Sequence, residues 1–190
     1  MSIVVYTAAC GTRDSRRTDV RCFGDYKEFQ SQRMNAKIYK VLAHQFVLAD
    51  YSIWIDANVQ LRAEPETLVD MLGSADAAVF RHCERNDIYE EAEFIIQKGK
   101  DTAENVRPQM QKYVEQEFRK KDLGMCFLIV RRHVPEIARR NERWWSDICR
   151  FSVRDQLSFP VAFDGAVKYF DTVPMSQNKY FTRHAHGVVL

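Results

Sequence analysis

The 190-residue chain carries a formal charge of +2, with 46% hydrophobic and 28% charged residues, a composition suited to one globular domain over 1–190 with a full core. Nearly balanced charge without a long Lys/Arg run argues against a general nucleic-acid binder and leaves small anionic ligands open. Five scattered cysteines without a C-x-x-C pair read as reduced packing residues, no stretch approaches the ~20 apolar residues of a membrane span, and "MSIVVYTAACG" lacks the basic start of a signal peptide, so a cytoplasmic protein is expected.

The first element, "IVVYTA" (3–8), reads as a strand and is followed by the turn-rich "CGTRDSRRTD" and a helical pattern over about 25–48, the usual opening of an α/β domain. Within that helix Arg33, Lys37, Lys40 and His44 are spaced 4, 3 and 4, forming a cationic stripe beside the apolar Met34, Ile38, Val41 and Leu42; the alternative is a solvated face. "YSIWI" (51–55) is short, aromatic and β-branched, and reads as a buried strand ending at Asp56, Ala57 and Asn58. Ligands of open α/β sheets bind at that carboxyl edge. Two side-chain oxygens flanking a small residue suit a hard divalent cation carrying phosphate, although Asp and Asn also begin ordinary turns.

Pro65 and Gly73 bracket a short helix, and 77–82 reads as the next strand. Asp87 with Glu90 offers a capping box for "IYEEAEFIIQKG", and Asp101 with Glu104 begins a further helix in which Pro108 predicts a restart or kink. "GMCFLIVRR" (124–132) is an apolar strand, Pro135 opens a helix through "EIARRNERWWSDICR", "RDQLSF" begins a short one, and "VKYF" (167–170) is a strand before a tail containing "RHAHG".

The ordered set "NAKIYKVLAHQF", "YSIWIDANVQL", "RHCERNDIYEEAE", "LGMCFLIVRRH" and "WWSDICRFSVRDQLSF" resembles the plant and bacterial glycosyltransferase-like family named for turgor-regulation-defect and mucilage-related proteins, over about residues 30–160. The resemblance implies a single GT-A-type nucleotide-diphospho-sugar transferase domain, α/β, with a mixed central sheet flanked by helices. It is also similar to family 8 glycosyltransferases, whose D-x-D metal motif stands where Asp56-Ala57-Asn58 stands here, so that Asn58 keeps an oxygen ligand but removes a charge. By the same resemblance Asp155-Gln156 face the reacting sugar, and His184, in "HAHG", matches the third metal ligand, with His186 as a neighbour. Asp155 otherwise reads as a helix cap.

The implied reaction moves a sugar from a nucleotide sugar, UDP-linked, to a saccharide or other hydroxyl acceptor, assisted by Mn2+ or Mg2+. The departing diphosphate needs a metal and fixed cations, for which Asp56, Asn58, His184, Arg33, Lys37 and Arg85 are the candidates. Thr7 and Ala8 at the end of the first strand are expected to hold the nucleoside. Inversion requires a carboxylate base, for which Asp155, Glu90 and Glu91 are available; retention requires a front-face arrangement. Two alternatives stand beside this reading: a haloacid-dehalogenase-type phosphotransferase, from the D-x-N-x-V segment, and an inert sugar-nucleotide-binding module.

Overall fold

The computed structural model describes residues 1–188. Its centre is a six-stranded sheet in the order β2-β1-β3-β6-β5-β7, built from β1 (Ile3–Ala8), β2 (Arg21–Phe23), β3 (Tyr51–Ile55), β5 (Ala77–Arg81), β6 (Gly124–Arg132) and β7 (Val167–Phe170). The sheet is mixed. β1 runs parallel to β2 and β3, β5 runs parallel to β7, and β6 is antiparallel to both of its neighbours. A second, two-stranded sheet pairs β4 (Val59–Leu61) with β8 (Phe181–Arg183).

Strand alternation divides the core between the two faces. Trp54 of β3, with Tyr6 and Ala8 of β1, packs under α1 (Gln32–Val41), α6 (Pro135–Arg150) and α7 (Asp155–Ala162) through Ile38, Val41, Trp144 and Phe159. Ile53 and Ile55 point the other way, against α3 (Pro65–Leu72) and the β4–β8 ribbon through Leu68, Val69 and Phe181. A third cluster joins α4 (Ile88–Gln97), α5 (Ala103–Glu115) and α7 through Ile95, Tyr113 and Leu157. No helix among the described residues is long and apolar enough to cross a membrane.

Several expected elements differ. The helix expected over 25–48 begins only at Gln32, where Ser31 caps it, and breaks at Leu42 before a single turn, α2 (Ala43–Phe46). Tyr26 and Phe29 imitate helical spacing, but they stack on each other in a loop that Asn35 holds by exchanging hydrogen bonds with both backbone groups of Phe29. Leu42 ends α1 because Arg131, fully buried on β6, donates to the last carbonyls, Lys40 O at 2.6 Å and Val41 O at 3.3 Å, satisfying acceptors that have no partner within the helix. Of the restart or kink expected at Pro108, the restart is absent, and α5 runs through the proline. The three-residue strands β2, β4 and β8 escape the sequence because their pairing, not their periodicity, defines them. Asp87 caps α4 as expected, while Glu90 accepts from Asn86 N, one residue earlier than a standard capping box.

Candidate active site

The carboxyl ends of β1 and β3 open into a cleft of about 820 Å3. Its floor is shaped by β6, whose pairing with β5 shifts register between Val79 and Phe80 and so delivers Met125, Cys126 and Phe127 to the cavity. The shift needs Gly124, because a Cβ there would lie 2.4 Å from Val79 Cγ2. Asp56 leaves β3 with its backbone N–H bonded to Phe127 O at 2.8 Å, which fixes the turn on the strand's end.

A buried ionic network occupies the middle of the cleft. Lys40 Nζ lies 2.5 Å from Asp155 Oδ2 and 3.3 Å from Asp56 Oδ1, and Lys37 Nζ lies 3.1 Å from the same Asp155 oxygen. Trp54, two residues before Asp56 and on the strand face opposite Ile53 and Ile55, donates its indole N–H to Asp56 Oδ1 at 2.8 Å. Burial would raise the Asp155 pKa, but the two ammonium groups outweigh it and hold the carboxyl well below the usual range. For Lys40 burial is likewise overcome, by Asp155 and Asp56, and its pKa rises. Lys37 behaves differently: burial prevails over Asp155 and its pKa falls. Gln156 is anchored to Gly124 O at 3.3 Å, and Asp155 O accepts the Trp144 indole N–H.

At one end of the cleft the β4–β8 ribbon sets Asn58 against His184. His184 N donates to Asn58 O at 2.8 Å, and Asn58 Nδ2 returns a bond to His184 O at 2.7 Å. These two residues line a smaller cavity of about 360 Å3 that shares Met175, Arg183 and His186 with the main cleft. Asn58 Oδ1 and His184 Nε2 are buried and have no protein partner, whereas buried polar atoms are rarely left so. An amide oxygen and an imidazole nitrogen, with the Asp56 carboxylate in the adjoining cleft, are donor types that fit Mn2+ or Mg2+. No group of three His, Cys, Asp or Glu side chains gathers among the described residues, so a metal here depends on the asparagine.

The remaining expected residues divide. Arg33, Ala8 and Arg85 line the cleft. Thr7 does not: it is fully buried on the face opposite Tyr6 and Ala8, with its hydroxyl unpartnered. Glu91 lines the cleft but is buried and paired with Arg85 Nε, and Arg85 stacks 3.8 Å from the centroid of Phe94. Glu90 is exposed, accepts from Asn86 N ahead of α4 and lies outside the cleft. His44, the last member of the cationic stripe, turns instead to Glu142 and Asn141. His186, not His184, lines the main cleft, where its Nδ1 lies 3.0 Å from Asp14. Sequence reading missed Trp54, Asp14, Lys100, Arg154 and Arg183; only Trp54, on the strand and two residues before Asp56, left a signal there.

Over 149 residues the chain is 29% identical to the "Probable hexosyltransferase MUCI70" of Arabidopsis thaliana, a match that takes in 72% of this chain and 26% of the plant protein, so the chain spans about a quarter of that relative's length. Among solved structures it is similar to the core-mannan synthase A (CmsA/Ktr4) of Aspergillus fumigatus in its Mn/GDP form, at 8% identity and a TM-score of 0.34, over 80% of this chain and 58% of that one. Residues 25–183, which contain the β3 turn, the ionic network and the β4–β8 ribbon, match the family described as TOD1/MUCI70, glycosyltransferase-like domain, and the chain belongs to that family.

Proposed function

We propose that the chain is a metal-assisted glycosyltransferase that moves a hexose from a nucleotide sugar, UDP-linked, to a hydroxyl acceptor. The observation that carries this reading is the pair of buried, unpartnered atoms, Asn58 Oδ1 and His184 Nε2, in the small cavity that adjoins the cleft lined by Asp56. With Asp56 they would hold a divalent cation, which when bound stabilises the charge of the departing diphosphate. Ala8, Ala9 and Cys10 at the end of β1 offer main-chain contacts to the nucleoside, and Arg183, cation-stacked on Phe127, stands beside the diphosphate position.

Asp155 serves as an acceptor of sugar hydroxyl hydrogen bonds rather than as a base. A carboxylate held so far below neutrality by two lysines takes a proton poorly, and efficient general bases titrate near the working pH. Ion pairing extends across the cleft. All five of its carboxylates face a basic side chain: Asp14 His186, Asp56 Lys40, Glu84 and Glu91 Arg85, and Asp155 both lysines. Inversion needs an uncommitted base, so the arrangement favours retention. The acceptor oxygen bonds to the anomeric carbon on the face that the leaving group vacates, the bond from that carbon to the phosphate oxygen breaks, and the acceptor proton passes to the departing diphosphate. Family membership sets aside the phosphotransferase alternative, and Trp54 and Lys40 both occupy the Asp56 oxygen.

The test is turnover of a panel of nucleotide sugars with manganese, followed by nucleoside diphosphate release with and without saccharide acceptors. Consumption of one donor, lost in Asp56→Ala, is expected. Binding of every donor without consumption of any would make the chain an inert binding module.

A further inference from the structure

The far end of the cleft holds a second concentration of charge. Asp101, in the loop between α4 and α5, accepts from Ser152 Oγ at 2.6 Å and Val153 N at 3.2 Å in the loop between α6 and α7. The tie brings Lys100 and Arg154, each adjacent in sequence to a tied residue, to one wall of the cleft, and α1 adds Arg33. None of the three makes an ion pair among the described residues. Nearby acids are already committed: Asp101 to this tie and to Asn105, Glu84 and Glu91 to Arg85, and Asp155 to the lysines. Arg154 Nε is buried without a partner, and the Lys100 ammonium lies 4.3 Å from the Phe94 centroid with no anion beside it. Burial, and after it the charge of Arg154, lowers the pKa of both Arg33 and Lys100, and the more distant carboxylates, Asp155 and Asp101 for Arg33 and Glu91 and Glu84 for Lys100, only partly offset this.

These cations are separate from the place proposed for the diphosphate. Lys40 touches Asp56, and Arg33 precedes Lys40 by seven positions of α1, roughly 10 Å at 1.5 Å per residue. Lys37 and Lys40, which lie between, are neutralised by Asp155 and Asp56. We propose that Arg33, Lys100 and Arg154 form an anion subsite for the acceptor, so that the acceptor is an acidic saccharide whose carboxylate, sulfate or phosphate is seated on them while its hydroxyl reaches the donor. The identification of the anion as part of an acceptor rests on the glycosyltransferase reading; the subsite itself does not.

Calorimetry on the full chain would compare three acidic probes with their neutral parents: a hexuronate trisaccharide and its methyl ester, a sulfated disaccharide and its desulfated form, and a hexose phosphate and the hexose. At least one acidic probe should bind tenfold or more tightly than its parent. That preference should fall below twofold in a Lys100→Ala/Arg154→Ala variant, while UDP affinity with manganese stays within twofold of wild type. Lys100→Gln, at an exposed position, should reduce the preference alone and guards against misfolding of the double variant. No preference for any acidic probe would overturn the subsite. UDP affinity falling in parallel with the acidic probe would assign these cations to the donor and overturn it equally. Failure of UDP to bind wild type, with the acidic preference intact, would sink the donor reading and leave the subsite standing.

Discussion

Replacing Asp155 by Asn removes one charge from the network of Lys37, Lys40, Asp56 and Asp155 while preserving shape. Two ammonium groups, with side chains 12% and 6% exposed, then share a single carboxylate, which already accepts from Trp54. Breaking a buried ion pair from one side costs about 3–5 kcal/mol, and in a chain of this size each kcal/mol lowers Tm by about 2–4 °C, giving a fall of roughly 6–20 °C. The sign of the pH dependence follows from the Asp155 pKa, which is depressed on folding. Its contribution is complete above the unfolded carboxylate value, about 3.9, and is lost as pH falls through the lower folded value, so the gap between wild type and variant narrows below about pH 4. Lys37, already lowered by burial, loses its counter-charge in the variant. The gap therefore also narrows at alkaline pH, where Lys37 sheds its proton. A Lys37→Met/Asp155→Asn double variant should recover much of the loss, since apolar replacement of a buried pair is often neutral. Thermal melts between pH 3 and 10 measure all of this. A Tm within one or two degrees of wild type at neutral pH would refute the network.

Product stereochemistry gives a second prediction: proton NMR of the first-formed glycoside should show the donor's anomeric configuration, and an inverted product would require one of the paired carboxylates to be free during reaction. Arg131→Met leaves Tyr6 OH, Asn141 Oδ1 and the last carbonyls of α1 without their donor; at about 1–3 kcal/mol per buried unsatisfied group, denaturant melts should show a loss of several kcal/mol, with donor affinity falling as Lys40 loses its anchor. In Gly124→Ala the added methyl meets Val79, an overpacking that costs about 1–3 kcal/mol, and unaltered stability would contradict the close approach of β5 and β6.

Most of the central sheet was legible because its strands carry long apolar or β-branched runs: Ile3–Ala8, Tyr51–Ile55 and Gly124–Arg132 stand where expected. What the residues hid was pairing. Arg21–Phe23 is a strand only because it lies beside β1, and Val59–Leu61 only because Phe181–Arg183 returns to it from more than a hundred residues away. The same limit applies to the site. Helical spacing put Arg33, Lys37 and Lys40 on one face, but it could not show that Asp155 and Asp56 would neutralise two of them and leave Arg33 open. It also treated His44 as part of the stripe, although α1 ends before it. Glu90 and Glu91, adjacent in sequence, separate to an exposed acceptor of Asn86 N and a buried partner of Arg85, since neighbouring helical positions point about 100° apart.

The most direct test of the site is calorimetric titration of UDP into the protein with manganese and then with chelator. One carboxylate, one amide and one imidazole hold a cation weakly alone, so cation and nucleotide should each strengthen the other, by the reciprocal coupling that linkage requires. UDP should bind more tightly with manganese. The difference should vanish in Asp56→Ala and shrink more in His184→Ala, whose Nε2 is unpartnered, than in His186→Ala, whose ring faces Asp14. Equal UDP affinity with manganese and with chelator, or a full manganese effect in Asp56→Ala, would contradict the account.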